Sequence, residues 1–268
     1  MTFFHSIILG VVEGFTEFLP ISSTAHLILT AKLLGLAQTD FLKSFEVVIQ
    51  FGAILAVVVL YFKKLLDLEI WKRLIVAFIP TGIIGLTLYP FIKQAFDEGL
   101  LITLALALGG VAIILFEIYH QEKEGSLDDI KKLSYPKLLA IGLFQSIAVI
   151  PGVSRAAATI IGGSWLGLSR RAIVEFSFLL AVPTMLAASG YDLLKNGSSF
   201  SADQIWLLLA GFVMSFLTAW LSIKFLLNFI RQHNFISFGI YRIAAAVIFF
   251  LVLACPVASS LCYWMQNI

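Results

Sequence analysis

Six apolar stretches, at about 45–62, 74–92, 99–119, 172–194, 204–227 and 238–264, approach or exceed the ~20 residues that carry a helix across a ~30 Å hydrocarbon core. A chain with that pattern is expected to be an all-α polytopic membrane protein with six transmembrane helices. Composition agrees. Of 268 residues, 60% are hydrophobic and 13% charged, and the mean hydropathy is +0.99, which a soluble domain seldom shows. Two more apolar regions, near 3–36 and 137–168, are interrupted by Pro and hydroxyl residues. Each leaves two pieces too short to cross comfortably, so both are expected to be re-entrant helical hairpins.

Other classes are excluded or made remote. Met1-Thr2-Phe3-Phe4-His5-Ser6 has no basic region or cleavage site of a secretory signal, so the N-terminus is expected to be mature protein. Cys255 and Cys262, seven apart in the last span, lie two helical turns apart and carry neither a disulfide framework nor a metal motif. A net charge of +2 spread over short loops gives no nucleic-acid footprint.

The chain reads as a single membrane domain built on an internal repeat. Offsetting the sequence by 131 pairs Pro20 with Pro151, Ser23 with Ser154, Phe45 with Phe176, Leu55-Ala56 with Leu186-Ala187, and Ile92-Lys93 with Ile223-Lys224. Repeat one covers about 1–119, a cytoplasmic linker about 120–136, and repeat two about 137–268. Each half is one broken hairpin followed by three spans, and three being odd, the second copy is expected upside down: an inverted-topology repeat. Loop charge fits this. Lys63, Lys64, Lys72, Arg73, Lys123, Lys131, Lys132, Lys137, Arg170, Arg171, Lys224 and Arg231 all fall on one side, the expected cytoplasmic one; Lys32, Lys43, Lys93 and Lys195 fall on the other. The first hairpin then enters from outside, the second from the cytoplasm, and their broken tips meet within the membrane.

Those tips hold the unusual chemistry. Glu13 and Glu17 stand four apart, on one helix face, followed after Pro20 by Ser22-Ser23-Thr24 and then His26. Ionisable groups at that depth cost at least ~2.5 kcal/mol each unless paired or wet, and two carboxylates together call for a divalent cation or an Arg. Hydroxyls at the start of a half-helix cap it, and its free N–H groups make an anion site. The second tip, Pro151-Gly152-Val153-Ser154-Arg155 with Thr159, supplies the cation, and the guanidinium fork matches phosphate oxygens. Taken singly, these residues also read as caps, a packed histidine and a Glu–Arg pair; their density and symmetric placement favour a site.

Together the segment Glu13 to His26 and the segment Pro151 to Arg155 with Thr159 resemble the bacterial undecaprenyl-diphosphate phosphatase family associated with bacitracin resistance, along essentially the whole chain. The resemblance implies an enzyme of the bacterial inner membrane, its active site facing the periplasmic or outer side. It would remove the terminal phosphate of undecaprenyl diphosphate and so recycle the lipid carrier of cell-wall glycan synthesis. Two positions depart from the family pattern: Ala25 stands where Gly is common and Ala156 where Ser is common.

On this reading Glu17, Ser23, His26 and Arg155 are the catalytic candidates, with Ser23 the favoured nucleophile, activated by His26 or Glu17, and direct attack by water the alternative. Ser22, Thr24, Ser154, Arg155 and Thr159 are the expected phosphate-binding residues, and Glu13 and Glu17 the expected ligands of a divalent cation, Mg2+ or Ca2+. The expected partners are a polyprenyl diphosphate, membrane lipids and a second copy in a homodimer. Glu46 and Glu175 either line the crevice or sit at an interface; His120 to Lys137 reads as a solvated linker; Tyr241-Arg242 is expected to snorkel to the headgroups. Broken helices in inverted repeats also build secondary transporters and lipid flippases, the competing function class.

Overall fold

The computed structural model describes residues 1–96, 98–120, 126–196 and 201–254, and these contain twelve α-helices. In chain order they are α1 (Phe3–Thr16), α2 (Ser23–Leu33), α3 (Asp40–Leu60), α4 (Phe62–Leu65), α5 (Leu68–Thr87), α6 (Tyr89–Ala95), α7 (Gly99–Tyr119), α8 (Tyr135–Ser146), α9 (Arg155–Trp165), α10 (Arg170–Asn196), α11 (Ala202–Phe229) and α12 (Ile236–Ala254). Six of them, α3, α5, α7, α10, α11 and α12, are long and apolar enough to cross a membrane. The protein is therefore an all-α, multi-pass membrane protein. Cys255, Cys262, Lys123 and the end of the expected last span lie outside the described residues.

Several helices begin earlier than the apolar runs that mark them, because polar residues cap them. The Thr39 hydroxyl accepts the Leu42 N–H and opens α3 at Asp40; the Asp67 carboxylate accepts the Glu69 N–H and opens α5 at Leu68. The Ser201 hydroxyl and the Gln204 side chain form a capping box on α11.

The halves share an order and a packing pattern. Helices α1 and α2 form one pair and α8 and α9 the other; α1 lies along α11 as α8 lies along α5, while α3 packs on α10 and α7 on α12. Small residues set the two corresponding crossings. A Cβ on Gly10 would fall 2.4 Å from the Gly211 carbonyl oxygen, and one on Gly142 would fall 2.1 Å from that of Ala77. Gly10 and Gly142 are 132 apart, as are Ser22 and Ser154 at the tips. At the hairpins the gap-free offset of 131 is thus corrected to 132, the same before and after each tip; Pro151 stands one position earlier in its turn than Pro20 does, and Gly152, at φ 98°, follows it.

The main core gathers Phe18 and Ile21 of the first tip, Ala53 to Val57 of α3, and Phe176 to Val182 of α10. At one end the basic loops meet. Lys64 and Arg171 pair with Glu175, Arg170 with Glu117 at 2.7 Å, and Lys131 with Asp67. Glu175 therefore belongs to this ionic cluster and not to the crevice. The expected solvated linker is also corrected in its second half. Arg73 donates to the carbonyls of Ile130 (3.3 Å) and Leu133 (2.6 Å), Leu127 bridges to Leu168, and the side chains of Ile130 and Leu133 are buried. Residues 121–125 lie outside the described residues.

Candidate active site

Where α1 ends, Glu17 is the C-cap residue, and a tight turn through Pro20 leads to Ser22, which sits at φ 72° before α2 starts at Ser23. The second tip repeats this backbone: Ser154 sits at φ 75° before α9 starts at Arg155. Left-handed conformations are uncommon outside Gly, so two serines held there mark a demanding geometry. It turns the first residues of both half-helices, Ser23 and Arg155, toward the same carboxylate.

Glu17 is that carboxylate. One oxygen accepts the Ser23 hydroxyl at 2.5 Å; the other accepts Arg155 Nη2 at 3.1 Å. Arg155 also donates Nη1 to the Ser177 carbonyl at 2.7 Å and lies over the Phe18 ring, 5.9 Å from its centroid. Phe18 is itself fixed edge-to-face on Phe178. The guanidinium keeps Nε–H buried with no protein partner, a donor still available to an anion.

One turn before Glu17, Glu13 is completely buried and neither of its oxygens has a hydrogen-bond partner. Glu17 and Glu46 both lie close enough to repel its charge. Glu46, on α3, is half-buried and also keeps one buried, unpartnered oxygen. So much unpaired acceptor capacity beside an unused guanidinium donor suits a ligand that brings positive charge or protons of its own.

The other expected site residues divide. Ser154 caps α9 by accepting the Ala157 N–H at 3.2 Å, and Ser22 is buried and makes no side-chain cap bond. Thr24 is in the first turn of α2, half-buried. The hydroxyl of Thr159 is turned into α9 and donates to the Arg155 carbonyl at 2.8 Å. His26 is not on Ser23. Its Nδ1 is 2.7 Å from the Ser22 carbonyl, which can only accept, so Nδ1 carries the proton and Nε2 accepts from the Tyr241 hydroxyl at 2.8 Å. The two rings are stacked. Ala25 and Ala156 are both buried, their methyl groups accommodated in the interior.

Arg242 is the largest correction to the sequence reading. Far from snorkelling, it is completely buried, with Nε donating to Leu106 O (3.1 Å), Nη1 to Pro20 O (3.2 Å) and Val153 O (3.0 Å), and Nη2 to Ala105 O (3.2 Å) and Gly152 O (2.9 Å). One side chain thus holds both tips and α7. The available signal was a cation inside an apolar run, which is a functional-site indicator at membrane depth.

A multi-pass membrane protein whose two interior helix breaks bring a serine, a glutamate and an arginine into one hydrogen-bonded chain has the parts of a phosphoryl-transfer site. Its relatives are consistent with that class. Residues 6–248 match the bacitracin resistance protein BacA family, and the chain belongs to it. It is 54% identical to an undecaprenyl-diphosphatase of Aquifex aeolicus (strain VF5), over 93% of this chain and 98% of the relative. It is 55% identical to one of Persephonella marina (strain DSM 14350 / EX-H1), over 94% and 99%. A third, from Wolinella succinogenes, is 49% identical over 94% and 99%.

Proposed function

We propose that this protein is an undecaprenyl-diphosphatase: a membrane enzyme that hydrolyses undecaprenyl diphosphate to undecaprenyl phosphate and inorganic phosphate. The observation that carries the mechanism is the Ser23 hydroxyl donating at 2.5 Å to Glu17 while Arg155 holds the other carboxylate oxygen. Glu17 is the general base, oriented by Arg155, and Ser23 the nucleophile. As the Ser23 oxygen bonds to the terminal phosphorus, its proton passes to Glu17 and the bond to the bridging oxygen breaks, releasing the lipid monophosphate. Water then attacks the phosphoserine; Glu17, still carrying the proton taken from Ser23, returns it to the departing Ser23 oxygen, and the proton of the water leaves on the released phosphate. Arg155, through Nε–H, and the free N–H groups at the starts of α2 and α9 neutralise charge on the transferring phosphoryl group.

A divalent cation fits Glu13 better than Glu17, since both Glu13 oxygens are unpartnered and both Glu17 oxygens are engaged. No group of three or more His, Cys, Asp or Glu side chains that could hold a metal gathers among the described residues. Diphosphate oxygens and water would complete the coordination, as Mg2+ commonly requires. When bound, the cation supplies neutralisation of diphosphate charge. The enzyme is placed in the bacterial inner membrane with its site open to the outer face, a reading supported by the basic loops clustered at one end. The matching packing of the two halves supports an inverted repeat.

Two measurements test this. Purified protein in detergent should release phosphate from undecaprenyl diphosphate; a folded preparation that releases none, with or without Mg2+ or Ca2+, refutes the activity. Rapid quench with terminally labelled substrate should trap label on Ser23; turnover without any labelled protein would instead establish direct attack by water.

A further inference from the structure

All five N–H donors of Arg242 are used, and all five acceptors are backbone carbonyls: Pro20 of the first tip, Gly152 and Val153 of the second, Ala105 and Leu106 of α7. Each of these carbonyls lies in a helix break or a close crossing, and a guanidinium is the side chain that can satisfy so many at fixed angles. The residues it fixes are not the reacting ones. Pro20 precedes Ser23 by three positions, and Val153 precedes Arg155 by two, so the two bonds to Nη1 span the gap between nucleophile and anion-binding fork. We infer that Arg242 is a positioning residue for phosphoryl transfer: it fixes the distance between the Ser23 and Arg155 half-helices without touching the substrate.

The surroundings of Arg242 fit that role. Gly109 faces the guanidinium across α7, where an added Cβ would fall 2.1 Å from Nη2 and 2.7 Å from Cζ. The end of a long side chain normally yields to such a methyl group. Here it is buried and tied at five points, so displacement must pull on the tip carbonyls. The neighbouring residue, Tyr241, holds His26 on α2. Two consecutive residues of α12 therefore control the first hairpin from opposite sides of its turn.

The inference rests on the proposed phosphatase activity, and the test separates the two. Wild-type protein, Arg242→Lys and Gly109→Ala are purified in detergent and compared by thermal melting, phosphate release from undecaprenyl diphosphate, and inhibition by orthovanadate, a mimic of the pentacovalent phosphoryl group. Absence of release by folded wild type defeats the activity itself. Given wild-type release, a positioning role predicts that folded Arg242→Lys, with three donors in place of five, loses about 100-fold in kcat, the scale of an ångström-sized misplacement. KM should stay within about threefold, and the vanadate inhibition constant should rise in parallel with the loss in kcat. Gly109→Ala should move in the same direction by a smaller factor. Wild-type kcat in either folded variant overturns the inference, as does a rise in KM at constant kcat. If Arg242→Lys does not fold, Gly109→Ala decides alone; if neither folds, Arg242 is a stability residue and the positioning role is wrong.

Discussion

The two hairpins share a backbone and differ in what they place on it. Helices α2 and α9 each have eleven residues, each follows a serine at φ near 70–75°, and each ends at a leucine with φ −82° and ψ 1°. At equivalent positions 132 apart, however, Glu13 faces Gln145 and Ser23 faces Arg155. Glu13 has no partner, whereas the Gln145 amide donates to Thr81 at 2.9 Å and to Thr184 at 3.3 Å. The comparison teaches that the fold needs a polar residue at this depth but not a charge. Negative charge is confined to the first hairpin, and the second contributes one cation across the gap. The left-handed serine is common to both and belongs to the turn; the Glu17–Ser23 pair is found only in the first and belongs to the chemistry.

The largest expected effect breaks the asymmetry at its centre. Ser23→Ala and Glu17→Gln should each lower kcat for phosphate release by about 10³-fold, within the usual range for removing a general base or its nucleophile. Glu17→Gln should in addition destabilise, because Arg155, only 12% exposed, is left without its counter-charge, on the order of 3 kcal/mol. Melting curves beside initial rates separate the two consequences. Wild-type rates in Ser23→Ala would move the nucleophile to water.

Exchanging the equivalent residues sharpens the comparison. Glu13→Gln gives the first hairpin the residue of the second and should melt higher, since a buried carboxylate lacking partners costs about 1–3 kcal/mol. It should also lose the stimulation by Mg2+ or Ca2+, read directly as weaker Mn2+ binding by electron paramagnetic resonance. The reverse change, Gln145→Glu, should destabilise by a similar amount, because it replaces an amide donor to two hydroxyls with an acceptor. Its Mn2+ binding should match wild type. Equal behaviour of the two variants would mean that the hairpins are not chemically distinct at this position.

A smaller effect tests the histidine. Tyr241→Phe keeps the ring stacked on His26 but removes the hydroxyl from Nε2. The loss of one such bond is about 0.5–1.5 kcal/mol, so activity should fall about 3- to 10-fold, with folding intact. A loss as large as that of Ser23→Ala would put His26 in the reaction itself, despite both its nitrogens being engaged away from Ser23.

The length of the apolar stretches made the six long helices legible, and their interruption by Pro and hydroxyl residues both hairpins; the residues that carry charge at the tips stood out because their surroundings are apolar. Glu17, Ser23 and Arg155 were found that way, and they do meet. What stayed hidden has one physical cause: its partners are backbone groups or neutral side chains, which leave no motif. Arg242 binds only carbonyls, so nothing in its neighbours announced a staple. Gln145 is a lone amide in an apolar stretch, and its partners Thr81 and Thr184 lie 64 and 39 positions away. The offset of 132 is masked because Pro20 and Pro151 align at 131, one position off from Ser22 and Ser154. The burial of Ile130 and Leu133 was masked by the charges around them, which face solvent.

The hairpins differ finally in how their far ends are held, and there the expected effects are smallest. The second is anchored by the linker: Leu127 pairs with Leu168, Lys137 donates to the Leu166 carbonyl at 2.9 Å, and Lys131 pairs with Asp67 at the start of α5. Lys131 donates a hydrogen bond to Asp67 and holds its carboxyl below the usual aspartate range; Asp67 in turn raises Lys131. The aspartate contribution is therefore present above its ordinary value and lost as pH falls through the depressed one. That of the lysine is present below its ordinary value and lost as pH rises through the raised one. Around neutral pH both are constant, and because the pair lies at the surface and is screened by salt, Lys131→Ala should leave melting and phosphate release unchanged. Arg73 is the contrasting anchor. Its bonds to Ile130 and Leu133 are buried; Arg73→Ala strands the Leu133 carbonyl, while that of Ile130 keeps the Leu133 N–H, and should cost about 1–3 kcal/mol with kcat preserved. If that variant instead lost kcat at unchanged stability, the linker would act on the tip chemistry, and the second hairpin would be more than a rigid support for Arg155.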